Sequence, residues 1–135
     1  RTELNSSKWQ ASASRKGTWD REAPDMALDR NQNTRYTSGD AIVNGDWFQV
    51  DMRSPQQVRS IVMNAGSSAD GGYPTRFEIY VGNNPNKFGK PVYQGLGSPV
   101  TRIALNAPAR GRYIRVVNKQ DKKAWWSIHD FRVRA

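Results

Sequence analysis

The sequence predicts an all-β fold, a sandwich or barrel of short antiparallel strands. Short segments alternate polar and apolar residues, as in 47–52 (WFQVDM), and this period of two is typical of half-buried strands. Clusters of Gly, Pro, Asn, Ser and Asp, such as residues 83–86, separate these segments. Only residues 23–29 suit a helix, and Pro24 fits its first turn. Regular short strands with turn signals between them indicate a sandwich or barrel.

Seven segments are predicted to form strands, because apolar side chains recur in each at every second position and so share one face. The first segment is short and polar, and Trp9 is its buried anchor. The helix at 23–29 can hardly exceed two turns. In chain order, the predicted strands are residues 7–14, 47–52, 58–63, 76–81, 99–105, 113–117 and 128–133.

Length and composition limit both the fold and the function. A chain of 135 residues is the size of one ordinary domain with a real core, and we expect residues 1–135 to form it. Cysteine is absent and His129 is the single histidine, which excludes disulfides, thiol nucleophiles, Cys/His zinc sites and most Ser-His catalysis. No pair of carboxylates has a recognisable acid/base arrangement, and no run of about 18 apolar residues could span a membrane. We therefore expect a binding domain that is not an enzyme.

Positive charge is concentrated in the second half of the chain. The net charge is +9; residues 1–67 carry nine Lys and Arg against eight Asp and Glu, whereas residues 68–135 carry twelve against four. Many of the later cations alternate with apolar residues, as in 112–116 (RYIRV), which is typical of the solvated face of a strand. The alternative is attraction to a polyanion, either an acidic polysaccharide, an anionic cell envelope or nucleic acid. The cations do not accompany rows of aromatic residues, which argues against nucleic acid.

Two adjacent tryptophans, Trp125 and Trp126, open a short alternating segment near the end of the chain. Neighbours in an extended chain point to opposite sides, so one indole is predicted to face the core and the other the solvent. An exposed indole can stack on a sugar ring or anchor a partner protein. The alternative is that both pack, one in the core and one under a neighbouring loop.

The segment 26–38 (MALDRNQNTRYTS) resembles the A-L-D-G-N-x-x-T-R-W-x-S signature of discoidin domains, also called coagulation factor 5/8 type C domains. Each motif of this family is weak alone, but the ordered set covers essentially the whole chain. Further motifs follow in the family's order at residues 47–52, 77–82, 112–116 and 127–133. Similarity to one branch, the bacterial carbohydrate-binding modules of family 32, lies at residues 65–74 and 125–131.

The resemblance implies a jelly-roll β-sandwich of the galactose-binding-like type, with Trp9, Tyr36 and Trp47 in its core. It also implies a non-catalytic module that binds polysaccharide or oligosaccharide. Such a module would target a secreted bacterial enzyme, a glycoside hydrolase or polysaccharide lyase, to extracellular or cell-wall polysaccharide, as a monomer within a larger multidomain chain. The alternative is a discoidin-type adhesion module that docks anionic lipid headgroups or a protein through apolar loop tips. The predicted loops are mainly Gly, Ser, Asp and Asn with single aromatics, which favours sugar.

A structural calcium ion is the first site that the resemblance implies. Calcium binds about six to eight hard oxygens and accepts carboxylates, hydroxyls and carbonyls together. Arg30 replaces the family's usual glycine, and Asp130 replaces a longer glutamate. Without calcium, Asp29 would cap a turn and Asp130 would pair with an arginine. The implied ligands are the side chains of Asp29, Thr34 and Asp130, with backbone carbonyls near Arg30 or Asn31 and at His129.

A sugar-binding site is the second site that the resemblance implies. The family's fold would form it from loops at one end of the sandwich. Trp125 matches the position of the platform aromatic in sugar-binding relatives. Trp19 and Tyr73 could form a second wall, although Tyr73 could equally be a loop plug. The polar groups that would exchange hydrogen bonds with sugar hydroxyls are Asp70, Asp40 and Asn44. The contributing loops are predicted at residues 16–20, 37–46, 67–73 and 121–125.

The identity of the glycan stays open at this point. The resemblance to family 32 carbohydrate-binding modules suggests neutral glucans, whereas the basic second half of the chain suggests uronates or sulfated glycans. The side chain of His129 has no base or ligand partner in the sequence, and structural packing is the better interpretation.

Overall fold

The chain folds into β-strands joined by turns and short 3-10 helices. The structure, a computed structural model, describes residues 2–66 and 71–135. The 3-10 helices are Asp20–Glu22 and Pro24–Leu28, and Pro24 begins the second, as predicted. No helix in the described ranges is both long and apolar enough to cross a membrane. The strands are β1 (Gln10–Ala13), β2 (Tyr36–Ala41), β3 (Trp47–Asn64), β4 (Arg76–Gly82), β5 (Tyr93–Leu96), β6 (Val100–Asn118), β7 (Trp125–Ile128) and β8 (Asp130–Arg134).

Two antiparallel sheets form a sandwich, which confirms the predicted fold class. The main sheet has the strand order β1-β3-β6-β4-β5, with β8 also paired to β3, and the small sheet consists of β2 and β7. The long strand β3 serves two partners, because residues 48–51 pair with β1 and residues 60–64 pair with β8. Between these halves the register against β6 shifts, and Arg53 has a φ of 72°. Such an irregularity bends a strand, so one strand contributes to two parts of the sheet.

Several predicted strand boundaries are wrong. Segments 47–52 and 58–63 belong to one strand, because the turn-like residues between them form the irregular part of β3. Segments 99–105 and 113–117 are joined in the same way in β6. β1 is shorter than predicted, and β5 was not predicted because its four residues (YQGL) are too few for a periodic signal.

The predicted loop 37–46 also contains most of a strand, β2. Its polar residues and Gly39, with a φ of 72°, are typical of a loop, yet Thr37 and Ala41 on either side of the glycine pair with β7. The pairing is irregular between Thr37 and Ala41, and that irregularity accommodates the glycine.

The predicted strand 128–133 is two strands in different sheets. β7 ends at Ile128 and pairs with β2, and β8 begins at Asp130 and pairs with β3. Both residues are buried, and His129 between them is half-buried. The buried apolar side chains change from even positions in β7 (Trp126 and Ile128) to odd positions in β8 (Phe131 and Val133), so the phase of the pattern shifts at the corner where the chain changes sheets.

Buried aromatic rings join the two sheets. The ring centre of Tyr36 in β2 lies 5.3 Å from that of Phe48 in β3 and 6.3 Å from that of Trp126 in β7. The ring centre of Phe48 also lies 5.5 Å from that of Phe131 in β8. These contacts place the core between β2 and β7 on one side and β3 and β8 on the other.

Two of the three residues assigned to the core by the resemblance lie there. Trp9 and Tyr36 are buried. Trp47 is half-buried, because its neighbour Phe48 takes the inward position on β3 and alternation turns Trp47 to the outer face.

Candidate functional site

Strand β7 presents its two tryptophans to opposite environments. The side chain of Trp126 is 1% exposed, whereas Trp125 is 49% exposed. The backbone N–H of Trp126 donates to the Ser38 hydroxyl at 2.9 Å, so the inner residue is held by β2 as well as by its packing. The predicted alternation is confirmed, and Trp125 is a large apolar surface on a strand that pairs with β2.

Two backbone hydrogen bonds identify the chain segments that border the small sheet. The Gly17 N–H donates to the Thr37 carbonyl at 2.9 Å on the free edge of β2. The Ser127 N–H donates to the Gly72 carbonyl at 2.8 Å on the free edge of β7. Because Thr37 and Ser127 pair with each other, the backbones at Gly17 and Gly72 lie roughly 14 Å apart, three strand spacings of about 4.8 Å.

The 71–73 segment packs directly against β7. A Cβ at Gly72 would lie 3.2 Å from both the Ser127 Cβ and the Trp125 carbonyl oxygen, so glycine allows the close approach. Tyr73 follows, half-buried, with the Lys122 ammonium 3.8 Å from its ring centre. Lys122 also donates to the Tyr73 carbonyl at 2.9 Å, and burial lowers the pKa of this lysine. The structure thus brings Tyr73 to the strand that carries Trp125, with a cation over its ring.

Trp19 lies at the other edge of the small sheet. Its side chain is 58% exposed, and the Arg21 guanidinium carbon lies 4.3 Å from its ring centre. The loop of Trp19 is bonded to the free edge of β2, whereas the segment of Tyr73 is bonded to the free edge of β7.

Of the three predicted polar groups, two lie in the described residues and Asp70 lies outside them. Asp40 belongs to β2, where its carboxylate lies 3.5 Å from the Arg15 guanidinium. Asn44 is exposed, and its N–H donates to the Asp121 carboxylate at 2.7 Å. The loop that carries Asn44 therefore borders the loop that leads into Trp125.

Two anchors of these loops were not predicted. Asn118, fully buried at the end of β6, donates through its amide to the Val43 and Gln120 carbonyls, both at 2.8 Å. Asp46 accepts from Arg15, 2.5 Å away, and from the Val43 N–H at 3.0 Å. Burial alone would raise the pKa of Asp46, but the hydrogen bonds from Arg15, Val43 and Ser14 hold it below its usual value. Each anchor joins residues distant in sequence, so no local pattern signals it.

The predicted calcium ligands of the 26–34 segment converge. The Thr34 hydroxyl lies 2.5 Å from an Asp29 carboxylate oxygen, 3.0 Å from the Asn31 carbonyl and 3.5 Å from the Met26 carbonyl. The other Asp29 oxygen accepts from the Asn31 N–H at 3.0 Å, which is the turn cap expected without calcium. Arg30 has a φ of 62°, the left-handed conformation that the family's glycine would suit.

Asp130 lies at the β7–β8 corner, in a pocket that Gln32 also lines. One of its oxygens accepts from Arg132 at 2.5 Å, while the other is buried and has no hydrogen-bond partner in the described part of the chain. Beside it, His129 Nδ1 lies 2.8 Å from the Gln32 carbonyl, which ties the corner to the 29–34 turn. An unpaired buried carboxylate oxygen is costly without a cation or water.

The donor set fits a hard cation that takes oxygen ligands. Within residues 2–66 and 71–135 no three His, Cys, Asp or Glu side chains come together, so carbonyls and the Thr34 hydroxyl would have to supply most ligands. Calcium accepts that mixture, whereas zinc and softer metals prefer nitrogen and sulfur.

The family model of the F5/8 type C domain matches residues 8–131. The chain belongs to the F5/8 type C domain family. Comparison with curated proteins gives no match. Solved structures of family 32 carbohydrate-binding modules nevertheless superpose over nearly the whole chain, which agrees with the sandwich described above.

Three solved structures illustrate the likeness. The family 32 module of C. perfringens NanJ, in complex with galactose, is 22% identical with a TM-score of 0.81, covering 98% of this chain and 97% of its own. Chitosan-binding module 2 of a Paenibacillus sp. IK-5 chitosanase/glucanase, in complex with chitotriose, is 22% identical with a TM-score of 0.80, covering 98% of both chains. The family 32 module of AlyQ, in complex with 4,5-unsaturated mannuronic acid, is 20% identical with a TM-score of 0.75, covering 99% and 98%. At these identities the likeness establishes the fold.

Proposed function

We propose that this F5/8 type C domain is a non-catalytic carbohydrate-binding module whose primary site is built around Trp125. The observation that carries the proposal is the half-exposed indole of Trp125 beside the fully buried Trp126 on one strand. An indole fixed in this way offers a flat apolar platform for the C–H face of a sugar ring at little cost in side-chain entropy.

Polar groups around the platform support the same function. Lys122 and Tyr73 border β7 on one side, and the loop of Asn44 and Asp121 borders the start of β7. Sugar sites combine an aromatic surface with a few polar groups that fix the orientation of hydroxyls. Three of the predicted binding residues, Trp125, Tyr73 and Asn44, lie on or beside this surface, and we propose them as the primary site.

Affinity at such a site is expected to be weak. A platform that covers one face of one sugar buries little surface. Most of the favourable interaction free energy is therefore offset by the loss of translational and rotational entropy on binding. Several modules in one chain raise the avidity without new contacts. We infer that the domain acts within a larger secreted polysaccharide-active enzyme and holds that enzyme on extracellular or cell-wall polysaccharide; the origin of one structural neighbour in a chitosanase/glucanase supports this role.

We also propose that Asp29, Thr34 and Asp130, with the carbonyl of Asn31 and that of His129, hold a structural calcium ion. The support is the converging oxygens around Thr34 and the unpaired buried oxygen of Asp130. The ion would bridge the carboxylates of Asp29 and Asp130, and so tie the 29–34 turn to the β7–β8 corner.

Retention on insoluble polysaccharides, measured beside sedimentation with anionic liposomes at physiological salt, tests the function. We expect retention on polysaccharide and little liposome binding, because the Debye length near 8 Å screens diffuse attraction to the basic surface. A glycan array at low and high salt then separates stacking from charge, since only charge-driven binding weakens with salt. Liposome binding that survives physiological salt, without retention on any polysaccharide, would instead identify the adhesion module.

A further inference from the structure

The outer face of the main sheet holds a guanidinium between aromatic rings. Arg115 of β6 pairs across the sheet with Gln49 of β3 and Tyr80 of β4. Its guanidinium carbon lies 4.2 Å from the ring centre of Trp47 and 5.2 Å from that of Phe88. Since aromatic rings border the guanidinium, its strongest remaining interactions are hydrogen bonds made in its own plane.

Arg115 has hydrogen-bonding capacity to spare. Its Nε donates to the Gln49 side-chain oxygen at 2.6 Å, and an Nη donates to the Pro85 carbonyl at 3.1 Å. Both acceptors are neutral, and they use two of the five N–H groups of an arginine. Within the described residues no carboxylate lies within 4.0 Å of Arg115. Burial lowers the pKa of this arginine, as expected for a cation that has lost water without gaining an anion.

A shallow pocket of about 260 Å³ opens beside the guanidinium, lined by Tyr80, Asn86, Phe88, Arg115 and Val117. The rings of Tyr80 and Phe88 lie 6.0 Å apart and tilted by 55°, which gives the pocket an apolar wall. On the neighbouring part of the sheet, Glu78 accepts from the Tyr80 hydroxyl at 2.7 Å and lies 3.7 Å from Lys119. Its charge is therefore already matched, and the charge of Arg115 is not.

We propose that this pocket is a second carbohydrate subsite, which binds the carboxylate of a hexuronate residue through Arg115. The fork of a guanidinium matches a carboxylate with two parallel hydrogen bonds, the strongest polar pairing available to an arginine. The Tyr80–Phe88 wall meets the apolar face of the sugar, and the Asn86 amide is placed for a hydroxyl. The net charge of +9 attracts an acidic polysaccharide to the surface.

This subsite is separate from the Trp125 platform. Arg115 lies on the outer face of the main sheet, whereas Trp125 lies on β7 in the small sheet. One domain with two sites can hold a polysaccharide chain twice, or hold two chains, and either raises its retention on an acidic polymer.

Nuclear magnetic resonance titration with trigalacturonate, and with its methyl ester as the uncharged probe, tests the proposal. We expect the acid to shift the Arg115 Nε–H signal and the backbone signals of β4 and β6, and the ester to bind at least tenfold more weakly. Arg115→Lys keeps the charge but loses the fork, and should also weaken binding of the acid at least tenfold. Arg110→Gln removes one exposed charge from the same strand and should change the affinity less than twofold.

Two more variants keep the test decisive. Asn86→Asp places a carboxylate in an exposed pocket position, so it should fold and repel trigalacturonate even if Arg115→Lys does not fold. Trp125→Ala should leave the shifts around Arg115 in place, whatever it does to neutral sugars. The proposal is overturned if acid and ester bind equally, if Arg115→Lys or Asn86→Asp binds like the wild type, if sodium acetate competes as well as the trisaccharide, or if the shifts surround Trp125 instead.

Discussion

The ammonium group of Lys122 lies 3.8 Å from the ring centre of Tyr73 and donates a hydrogen bond to the carbonyl oxygen of the same residue, 2.9 Å away. The backbone N–H of Lys122 also donates to the Ile42 carbonyl at 2.9 Å. One residue thus connects the 71–73 segment, the 42–46 loop and the loop that leads into Trp125. The surface around the platform depends on this connection as well as on the strands.

Lys122→Met should loosen that surface. The change removes the cation–π contact and one hydrogen bond while keeping a long apolar side chain, so we expect a loss of about 1 to 2 kcal/mol in the free energy of unfolding. The affinity for the polysaccharide that retains the wild type should fall a few-fold. Urea unfolding and a binding isotherm measure the two effects. Lys123→Met, at the exposed neighbouring position, is the control and should resemble the wild type.

Stability should fall in acid partly because of Asp46. Since its pKa is lowered in the folded state, its contribution is complete above the unfolded value of about 3.9 and is lost as the pH falls through the lower folded value. Asp46→Asn should cost about 2 kcal/mol at pH 7 and make the decline below pH 4 shallower than in the wild type. Unfolding curves between pH 2 and about pH 7 measure this, and parallel curves for the two proteins would contradict it.

Arg30 should be a strained position. Its φ of 62° costs a residue with a Cβ about 1 kcal/mol or more, whereas glycine adopts it freely. Arg30→Gly should therefore be about 1 kcal/mol more stable than Arg30→Ala. Both variants lose the exposed ion pair with Glu3, so that loss does not contribute to the difference in stability between them. Equal melting temperatures would show that the position carries no strain.

A calcium chelator should lower the melting temperature, because an ion that binds only the folded state stabilises it by mass action. Asp29→Ala should remove this dependence, since it deletes a carboxylate of the proposed site. Calorimetry on extensively dialysed protein, with and without added calcium, makes the comparison. Identical melting under both conditions would rule out a stabilising calcium site.

The fold and part of the site could be predicted from the sequence because they depend on local patterns. The period of two along a strand predicted that Trp125 and Trp126 face opposite sides, as they do. The 26–38 motif located a turn whose oxygen atoms converge around Thr34. The prediction of one strand over 128–133 missed the corner at His129, where the buried apolar side chains shift from even positions in β7 to odd positions in β8.

Contacts between distant residues account for most of what was missed. Lys122 meets Tyr73 across 49 positions and Arg15 meets Asp46 across 31, and neither pair leaves a periodic signal. Arg115 looked like an ordinary solvated cation, because only the folded sheet shows that rings from two other segments border it. Trp19 and Tyr73 belong to segments bonded to opposite edges of the small sheet, an arrangement that depends on strand order and not on either segment alone.

Trp126→Ala supplies the reference for the central test. Removing this buried indole leaves a core cavity beside Tyr36, and we expect a loss of about 3 to 5 kcal/mol in the free energy of unfolding. Trp125→Ala should leave that free energy nearly unchanged, because its side chain is half exposed. Thermal unfolding of both variants checks the assignment of the two faces of β7.

The affinity of folded Trp125→Ala for the polysaccharide that retains the wild type is the most direct test of the proposed function. If the indole is the platform, the variant should lose roughly 1 to 3 kcal/mol of binding free energy, about 5-fold to 150-fold in Kd, by analogy with other stacked aromatic contacts. Folded Trp125→Ala that binds as tightly as the wild type would contradict the account and remove the primary site from β7.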